Sequence, residues 1–364
     1  MKTVYHVGLD VHKETVEMSV FKNRETEPEY EQKMNNEHRA ILSHLRRLQE
    51  RGEVQVCYEA GCMGFILHRT LREAGIECRI IAPGKVPRRP GERIKTDRRD
   101  ARNLAKLLRA GDATGIHVPT EEDEATRDYL RAREDVKLEL KRAKQQMQKF
   151  LLRLGHRYET KRYWTGAHWK WMHGISFSQP MHQETFATYC ARIRELENRI
   201  ALMEDRIVEI ARSERYRDMV DLLRCFKGID YLIALALVCE VGDFRRFPSA
   251  ASFMAYLGLV PREHSSGEKR RQGGITKSGN GHLRRLLVES GWHYRYVAPP
   301  SKALISRRMG RGTEVIAYAD KALRRLQRKF SRMLFKGKSS NAAVTAVARE
   351  LAGFIWGMMN DKIA

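Results

Sequence analysis

The feature that most constrains this chain is a sustained apolar repeat near its middle. Over residues 186–210 the steps alternate between three and four, at Phe186, Tyr189, Ile193, Leu196, Ile200, Met203, Ile207 and Ile210. A shorter stripe occupies residues 136–154. Heptad spacing between charged positions predicts long helices that pair in a coiled coil. We therefore expect an antiparallel helical hairpin whose connector is residues 155–180.

The predicted connector holds Trp164, Trp169 and Trp171 among basic residues. Aromatic rings beside cations are typical of a surface on which bases or a partner stack. A small apolar cluster that closes the hairpin explains the same pattern. We expect the stripe at 186–210 to drive self-association, since an unpaired stripe of that length would be a large exposed apolar patch. Packing against the first helix of the same chain is the competing outcome.

Upstream of the hairpin, about the first 110 residues alternate between strand and helix patterns. Strands are predicted at 4–9, 15–21, 54–58 and 77–81, and helices at 37–50, 65–74 and 97–108. Strands interleaved with helices imply an α/β sandwich. From about Leu222 the pattern is mostly helical and includes a very basic helix at 320–335.

The charge of the chain is strongly positive and unevenly distributed. The formal net charge is +23, and residues 261–338 hold 20 Lys and Arg against 5 Asp and Glu, a net of +15. Such an excess predicts a polyanionic partner through phosphate contacts and counterion release. Ribosomal and chromatin proteins share this property, so charge indicates nucleic acid and not an enzyme. Predicted phosphate contacts on the basic helix are Arg324, Arg325, Arg328 and Lys329.

The cysteines and the hydropathy pattern exclude other classes of protein. No Cys-x-x-Cys pair occurs among the six cysteines, which argues against a zinc site and for core or incidental thiols in a reducing compartment. The sequence contains no run of about 18 apolar residues, so it predicts no membrane span. We therefore expect a cytoplasmic protein.

Four acidic side chains carry the most specific signal for chemistry. Asp10 ends the first predicted strand, Glu59 ends another, and Asp97 and Asp100 share a face at the start of a helix. Singly, each is most simply a turn or cap residue. Together they suit Mg2+ or Mn2+, and two such ions activate a nucleophile and stabilise the leaving oxygen of a phosphodiester. Their order on this scaffold is that of the RNase H-like nuclease fold.

A second group of motifs lies in the basic C-terminal part. Ser265 and Ser266 precede Gly267 in a glycine-rich region, and on pattern alone they belong to a loop. Basic residues that would offset charge on a phosphate follow: Lys277, Arg284 and Arg285. The turn Lys227-Gly228-Ile229-Asp230 lies between two apolar helix patterns. It is either a phosphate-binding helix junction or a plain turn.

Together these segments resemble the DEDD transposases of the insertion-sequence family numbered one-ten, in particular its eleven-eleven subgroup, with the Piv-type DNA invertases as relatives. The matching motifs span almost the whole chain: Gly8-Leu9-Asp10-Val11-His12-Lys13, Tyr58-Glu59-Ala60, Lys95-Thr96-Asp97-Arg98-Arg99-Asp100-Ala101, Leu257-Gly258-Leu259-Val260-Pro261, Ser265-Ser266-Gly267 and Gly274-Ile275-Thr276-Lys277-Ser278-Gly279-Asn280. One turn departs from the family, which usually has Gly-Ile-Gly in place of Gly228-Ile229-Asp230. An acidic residue there argues against a direct grip on DNA.

The resemblance implies three domains: a RuvC-like DEDD domain at 1–115, a coiled-coil helical hairpin at 116–221 and a mainly helical transposase domain at 222–364. It implies that Asp10, Glu59, Asp97 and Asp100 hold metal, and that a serine attacks DNA to give a 5′-phosphoserine. It further implies a bridge RNA from the noncoding end of the element, which pairs with donor and target DNA. It also implies that the protein works as a tetramer of two dimers and associates with the prokaryotic nucleoid.

Ser266 is the predicted nucleophile rather than Ser265, because the family pattern keeps a serine directly before the glycine. A glycine neighbour also leaves room for a phosphodiester. His264 and groups brought by the RuvC-like domain are candidates for the base that activates it. One rival reading is a RuvC-like junction nuclease that uses metal-activated water without a covalent link. Another is a nucleic-acid-binding protein that keeps only the fold, which the intact carboxylate set disfavours.

Overall fold

The computed structural model describes residues 3–86, 96–160, 162–263 and 271–363. The chain divides into two units, Met1–Val118 and Pro119–Ala364. The first is an α/β unit and the second is mainly helical, which confirms the predicted fold class at this level. The predicted boundary at 115 lies three residues from the observed division, whereas the one at 221 falls inside the second unit. The three-domain division therefore stays a prediction.

The first unit is built on a five-stranded sheet with the order β3-β2-β1-β4-β5. Its strands are β1 (Val4–Val11), β2 (Thr15–Lys22), β3 (Tyr30–Asn35), β4 (Glu53–Glu59) and β5 (Glu77–Ile81). β1, β2 and β3 pair antiparallel, whereas β4 runs parallel to β1 and β5. The described helices of this unit are α1 (His38–Gln49), α2 (Ile66–Glu73) and α3 (Asp97–Arg109). This mixed sheet fits a RuvC-like domain.

β1 is covered by helices on both faces of the sheet, and its residues alternate between the two. Tyr5, Val7 and Leu9 are buried in a core to which α1 and α2 also contribute. Gly8, between them, faces the backbone of α3. A smaller core of β4, β5 and α3 residues fills that side. Successive side chains of a strand point to opposite faces, so β1 is covered on both sides.

β3 was not predicted from the sequence. Its residues, Tyr-Glu-Gln-Lys-Met-Asn, are mostly polar, and none of them is fully buried as a whole residue. An edge strand pairs on one side only, so it tolerates charged side chains and lacks an apolar run. Glu31 anchors it, because its side chain is 3% exposed and accepts two hydrogen bonds of 2.8 Å from the Arg102 guanidinium of α3. Arg98 pairs with the same carboxylate.

The second unit begins with two long helices and a short one between them. These are α4 (Glu121–Arg153), α5 (Gly166–His173) and α6 (Pro180–Ala211). Every residue of the predicted stripe at 186–210 is buried or half-buried. Near the connector α4 and α6 share one core, which includes Ala143, Met147, Phe150, Ile193 and Leu196. The stripe thus packs on the first helix of the same chain, while a coiled-coil geometry and self-association stay predictions.

The remaining helices pack around one large core. They are α7 (Arg217–Leu223), α8 (Tyr231–Val241), α9 (Ala250–Tyr256), α10 (Gly281–Gly291), α11 (Lys302–Arg308), α12 (Thr313–Phe335) and α13 (Ser340–Met359). The predicted basic helix is the C-terminal part of α12. Among the described residues, α13 alone is long and apolar enough to cross a membrane, but ten of its residues are buried against the other helices. It is therefore a core helix of this unit.

The Glu31 pairing generates a test of how α3 is held on the sheet. Pairing with Arg102 and Arg98 lowers the pKa of Glu31 from 4.5 to about 2. A carboxyl with a lowered pKa stabilises the fold above its unfolded value and loses that contribution as the pH falls through its folded value. Glu31→Gln should therefore lower the free energy of unfolding of the first unit by about 2 kcal/mol at pH 7, discounted for the exposure of Arg98.

Urea denaturation followed by a fluorophore on Cys62, the exposed cysteine, measures this quantity. The difference between variant and wild type should shrink as the pH falls from 5 toward 2. Glu29→Gln is the matched control, since Glu29 pairs with the exposed Arg51 at 3.0 Å and should change the free energy of unfolding much less than Glu31→Gln does. A difference that is absent at pH 7, or independent of pH, would contradict the assignment.

Candidate functional site

The candidate site forms where the first turn of α3 lies beside the end of β1. A Cβ atom on Gly8 would lie 2.1 Å from the Ala101 carbonyl oxygen and 2.4 Å from the Ala105 amide nitrogen. Both are backbone atoms, so only glycine allows α3 to rest directly on β1. This close approach brings the start of α3 beside Asp10, two residues further along the strand.

Asp10, His12 and Asp97 form a cluster in which ligand atoms of the three residues lie within 4.8 Å of one another. His12 Nε2 lies 3.2 Å from Asp10 Oδ2 and 3.5 Å from Asp97 Oδ1. Burial raises the pKa of Asp10, His12 opposes the shift, and the charges of Asp100 and Asp97 add to it. Crowding of negative charge around a half-buried carboxyl favours a bound cation at this position.

Local structure explains how these side chains reach one another. His12 opens the turn between β1 and β2, and the Asn36 side-chain amide donates to its carbonyl at 2.7 Å. Thr96 is the N-cap of α3, with its hydroxyl accepting a backbone amide of the first turn. Asp97 and Asp100 occupy that turn, where the positive end of the helix dipole favours carboxylates.

The structure brings together some of the predicted carboxylates but not all. Asp10 and Asp97 belong to the cluster, and Asp100 lies near enough to influence the pKa of Asp10. Glu59 ends β4, the parallel neighbour of β1, and so lies at the same edge of the sheet. Its side chain is exposed and, within the part of the chain that the structure describes, it is outside the three-residue cluster.

His12 was missed by the sequence analysis, although it stands in the motif that contains Asp10. Its signal was an imidazole two residues after a carboxylate at a strand end. Two carboxylate oxygens and one imidazole nitrogen are a donor set that holds a divalent ion. The residues present therefore fit the predicted Mg2+ or Mn2+.

Comparison with known proteins gives the family. A transposase model of the IS110 DEDD type matches residues 7–155, and the model of the transposase IS116/IS110/IS902 family matches residues 220–305. The transposase for insertion sequence element IS1533 of Leptospira borgpetersenii is 40% identical over 93% of this chain and 99% of that protein. The chain belongs to the IS110 family of transposases.

Two further relatives agree. The putative transposase y4qE of Sinorhizobium fredii is 38% identical over 98% of this chain and 88% of that protein. The transposase for insertion sequence element IS1111A of Coxiella burnetii is 35% identical over 35% of this chain and 37% of that protein. The similarity to transposases thus covers almost the whole chain.

The second motif group of this IS110 transposase frames a short hairpin. Its strands, β6 (Pro261–Glu263) and β7 (Gln272–Ile275), were not predicted, since runs of three and four residues give no periodic signal. The intervening residues 264–270, with the predicted nucleophile Ser266 and with Ser265 and His264, lie outside the described residues.

The base of that hairpin is held by close contacts of motif residues. Gly279 has a φ of +89°, and a Cβ there would lie 2.0 Å from the Tyr256 carbonyl oxygen. Asn280 caps α10 and donates to the buried carboxylate of Glu240 at 3.0 Å. Arg284 donates to a backbone carbonyl at the start of the motif at 2.9 Å. These contacts fix the position of both strands.

The turn that departs from the family is tied to the neighbouring helices. Asp230 caps α8 by accepting the Tyr231 amide at 2.9 Å. Its carboxylate also accepts from Arg224 at 3.0 Å and lies 3.6 Å from Arg307. The acidic residue in place of glycine therefore acts as a helix cap and an ion-pair partner.

The predicted phosphate contacts differ in their surroundings. Arg285 is paired with Glu134 at 2.7 Å and with Glu289 at 2.8 Å. The four predicted contacts on α12 line a groove of about 710 Å³ between α12 and α13, in which Arg325 and Lys329 pair with Glu350 at 2.8 and 3.4 Å. Eight of its eleven lining residues are Lys or Arg, and one, Glu350, is acidic. This groove keeps a large excess of positive charge at the surface.

The metal site is tested by titration of the protein with Mn2+, followed by electron paramagnetic resonance. Replacing a charged hard ligand with a neutral amide, in Asp10→Asn or Asp97→Asn, should weaken Mn2+ binding more than about 10-fold. Asp112→Asn, which removes an exposed carboxylate of the same unit, should leave it unchanged. Equal affinity in the wild type and in Asp10→Asn would mean that the cluster is not the metal site.

Proposed function

We propose that this transposase cuts and rejoins DNA by metal-dependent phosphoryl transfer, with Ser266 as nucleophile. The observation that supports it most is the Asp10, His12 and Asp97 cluster on a RuvC-like sheet in a member of a transposase family. The carboxylates of Asp100 and Glu59, at the same end of that sheet, would extend the ligand set.

The ion, when bound, would stabilise negative charge on the reacting phosphate and the leaving oxygen. Asp10 and Asp97 would hold it from a strand and a helix. His12 lies in the turn between β1 and β2, where Asn36 binds its backbone carbonyl. Its imidazole would either bind the ion or orient the carboxylates that bind it. The contact at Gly8 would keep the two carboxylates at a fixed separation, as preorganised catalysis requires.

Ser266 would then attack the scissile phosphorus. Its O–H bond breaks, an Oγ–P bond forms and the bond from phosphorus to the 3′ oxygen breaks. The 5′ end stays on the protein as a phosphoserine, while the 3′ end leaves as a hydroxyl that takes up the proton. A serine hydroxyl needs a base at neutral pH, for which His264 and a carboxylate of the RuvC-like domain are the candidates. The covalent link preserves the energy of the phosphodiester for rejoining.

The nucleic-acid partners complete the proposal. The groove on α12 would hold DNA phosphates through its eight cations. The family resemblance further supports the proposal that a bridge RNA of the element guides the enzyme. It also supports a homo-oligomeric enzyme, up to a tetramer of two dimers.

The covalent intermediate is the decisive test of this function. Reaction of the full chain with a nicked DNA substrate, followed by digestion and mass spectrometry, should yield a phosphoserine peptide that spans Ser266. Ser266→Ala should give no adduct, and Ser265→Ala, the matched control, should still give it. Cleavage by Ser266→Ala at the wild-type rate would overturn the covalent mechanism in favour of a metal-dependent nuclease.

A further inference from the structure

The connector between α4 and α6 forms an open cavity that the proposed function does not use. Its volume is about 790 Å³, and α4 and the connector line it. Its aromatic lining residues are His156, Tyr158, Tyr163, His168 and Trp171. Gln145 and Gln148 of α4 also line it. A nucleobase is much smaller than this space, which we name the tip pocket.

His168 fixes the aromatic wall of the tip pocket. Its side chain is 1% exposed, and its Nδ1 accepts the Trp164 amide at 3.1 Å. Its ring stacks on Trp171 at 5.6 Å, and Tyr158 packs against it at 4.7 Å. Burial lowers the pKa of His168 and so favours the neutral form of the ring. A wall that is rigid before a ligand arrives lowers the entropic cost of binding.

The hairpin core does not account for all of this aromatic surface. The core beneath it is already closed by Met147 and Met172, both fully buried. Tyr163 nevertheless remains 44% exposed and Leu152 61% exposed. Trp164 adopts a φ of +63°, a conformation that is rare for a bulky residue.

Positive charge accompanies the rings. The exposed side chains of Lys149 and Arg157 line the tip pocket. Residues 155–180 carry four Lys and Arg against a single acidic residue, Glu159. The pocket therefore combines apolar faces with cations, which suits a ligand that has both a flat ring and a phosphate.

A second cavity extends this surface along α4. Its volume is about 800 Å³, and it shares Gln145 and Gln148 with the tip pocket. Lys137 and Lys141, both exposed, line it, as does Trp164. A cation also lies over that tryptophan, since Lys144 Nζ is 5.0 Å from its ring centre. This cavity thus places three lysines of α4 near the ring of Trp164, and its lining also includes the carboxylates of Glu134 and Glu289.

We propose that this surface binds a single-stranded nucleic acid, with an unpaired base in the tip pocket. The base stacks on Tyr163 and Trp171, and its neighbouring phosphates contact Lys149 and Arg157. Stacking on aromatic rings accepts any base, whereas the amides of Gln145 and Gln148 offer donors and acceptors to a base edge. The inference goes beyond the proposed function and depends on neither the metal cluster nor Ser266.

The experiment measures binding of short single-stranded oligonucleotides to the full-length protein by fluorescence anisotropy, with RNA and DNA arms. Excess duplex DNA is added as a competitor, so that it occupies the other phosphate-binding surfaces of the protein. Tyr163→Leu should weaken binding about 5- to 150-fold, the range for loss of one stacked base. Tyr163→Phe keeps the ring and should bind like the wild type. Tyr296→Leu, which changes a tyrosine that is 65% exposed elsewhere, is the location control.

Two further comparisons separate stacking from charge. Removing one base from the oligonucleotide should weaken wild-type binding more than it weakens that of Tyr163→Leu, because the variant has already lost one of the two stacking contacts. Lys149→Ala combined with Arg157→Ala should weaken binding and reduce its salt dependence. Preference for the RNA or the DNA arm identifies the source of the strand, and either supports the proposal.

Two results would overturn it. One is that Tyr163→Leu binds both oligonucleotides as tightly as the wild type. The other is that Tyr163→Leu changes only the oligomeric mass of the protein, which would make the tip pocket an interface between copies of the chain.

Discussion

The contact between Gly8 and the backbone of α3 is the constraint on which the candidate site depends. It removes the usual layer of side chains between a strand and a helix, so that the first turn of α3 lies beside the end of β1. From the other side, the carboxylate of Glu31 holds α3 through Arg98 and Arg102. Because α3 is held at these two places, Asp97 stays close to Asp10 with little freedom to move. A metal site requires its ligands to be held in this way.

The two units divide the proposed chemistry between them. The first provides the metal ligands, and the second provides the serine motif and the basic groove of α12. Within the second unit, several motif residues make contacts that support the scaffold. Gly279 permits a close backbone approach, Asn280 caps a helix and Arg284 ties the motif to its own start. A family motif in such a protein therefore marks both what reacts and what positions the reacting part.

Periodicity predicted most of the fold, because apolar patterns follow directly from burial. The order of strands and helices in the first unit and the two long helices were predicted from it, whereas the polar edge strand β3 was missed. In the site, the carboxylates follow from strand ends and helix starts. The position of His12 in the site could not be predicted in this way, because it depends on the turn that directs its ring toward Asp10 and Asp97. The pairing of Arg285 with Glu134, 151 positions away, was equally invisible in the sequence.

The central claim is that the close approach at Gly8 creates the metal site, and Mn2+ affinity of Gly8→Ala tests it most directly. Gly61→Ala is the matched control, since a Cβ there meets no atom within 4 Å. Circular dichroism establishes that both variants are folded. The account predicts that Gly8→Ala displaces α3 and lowers Mn2+ affinity about 10-fold or more, while Gly61→Ala binds like the wild type. Wild-type affinity in a folded Gly8→Ala protein would contradict it.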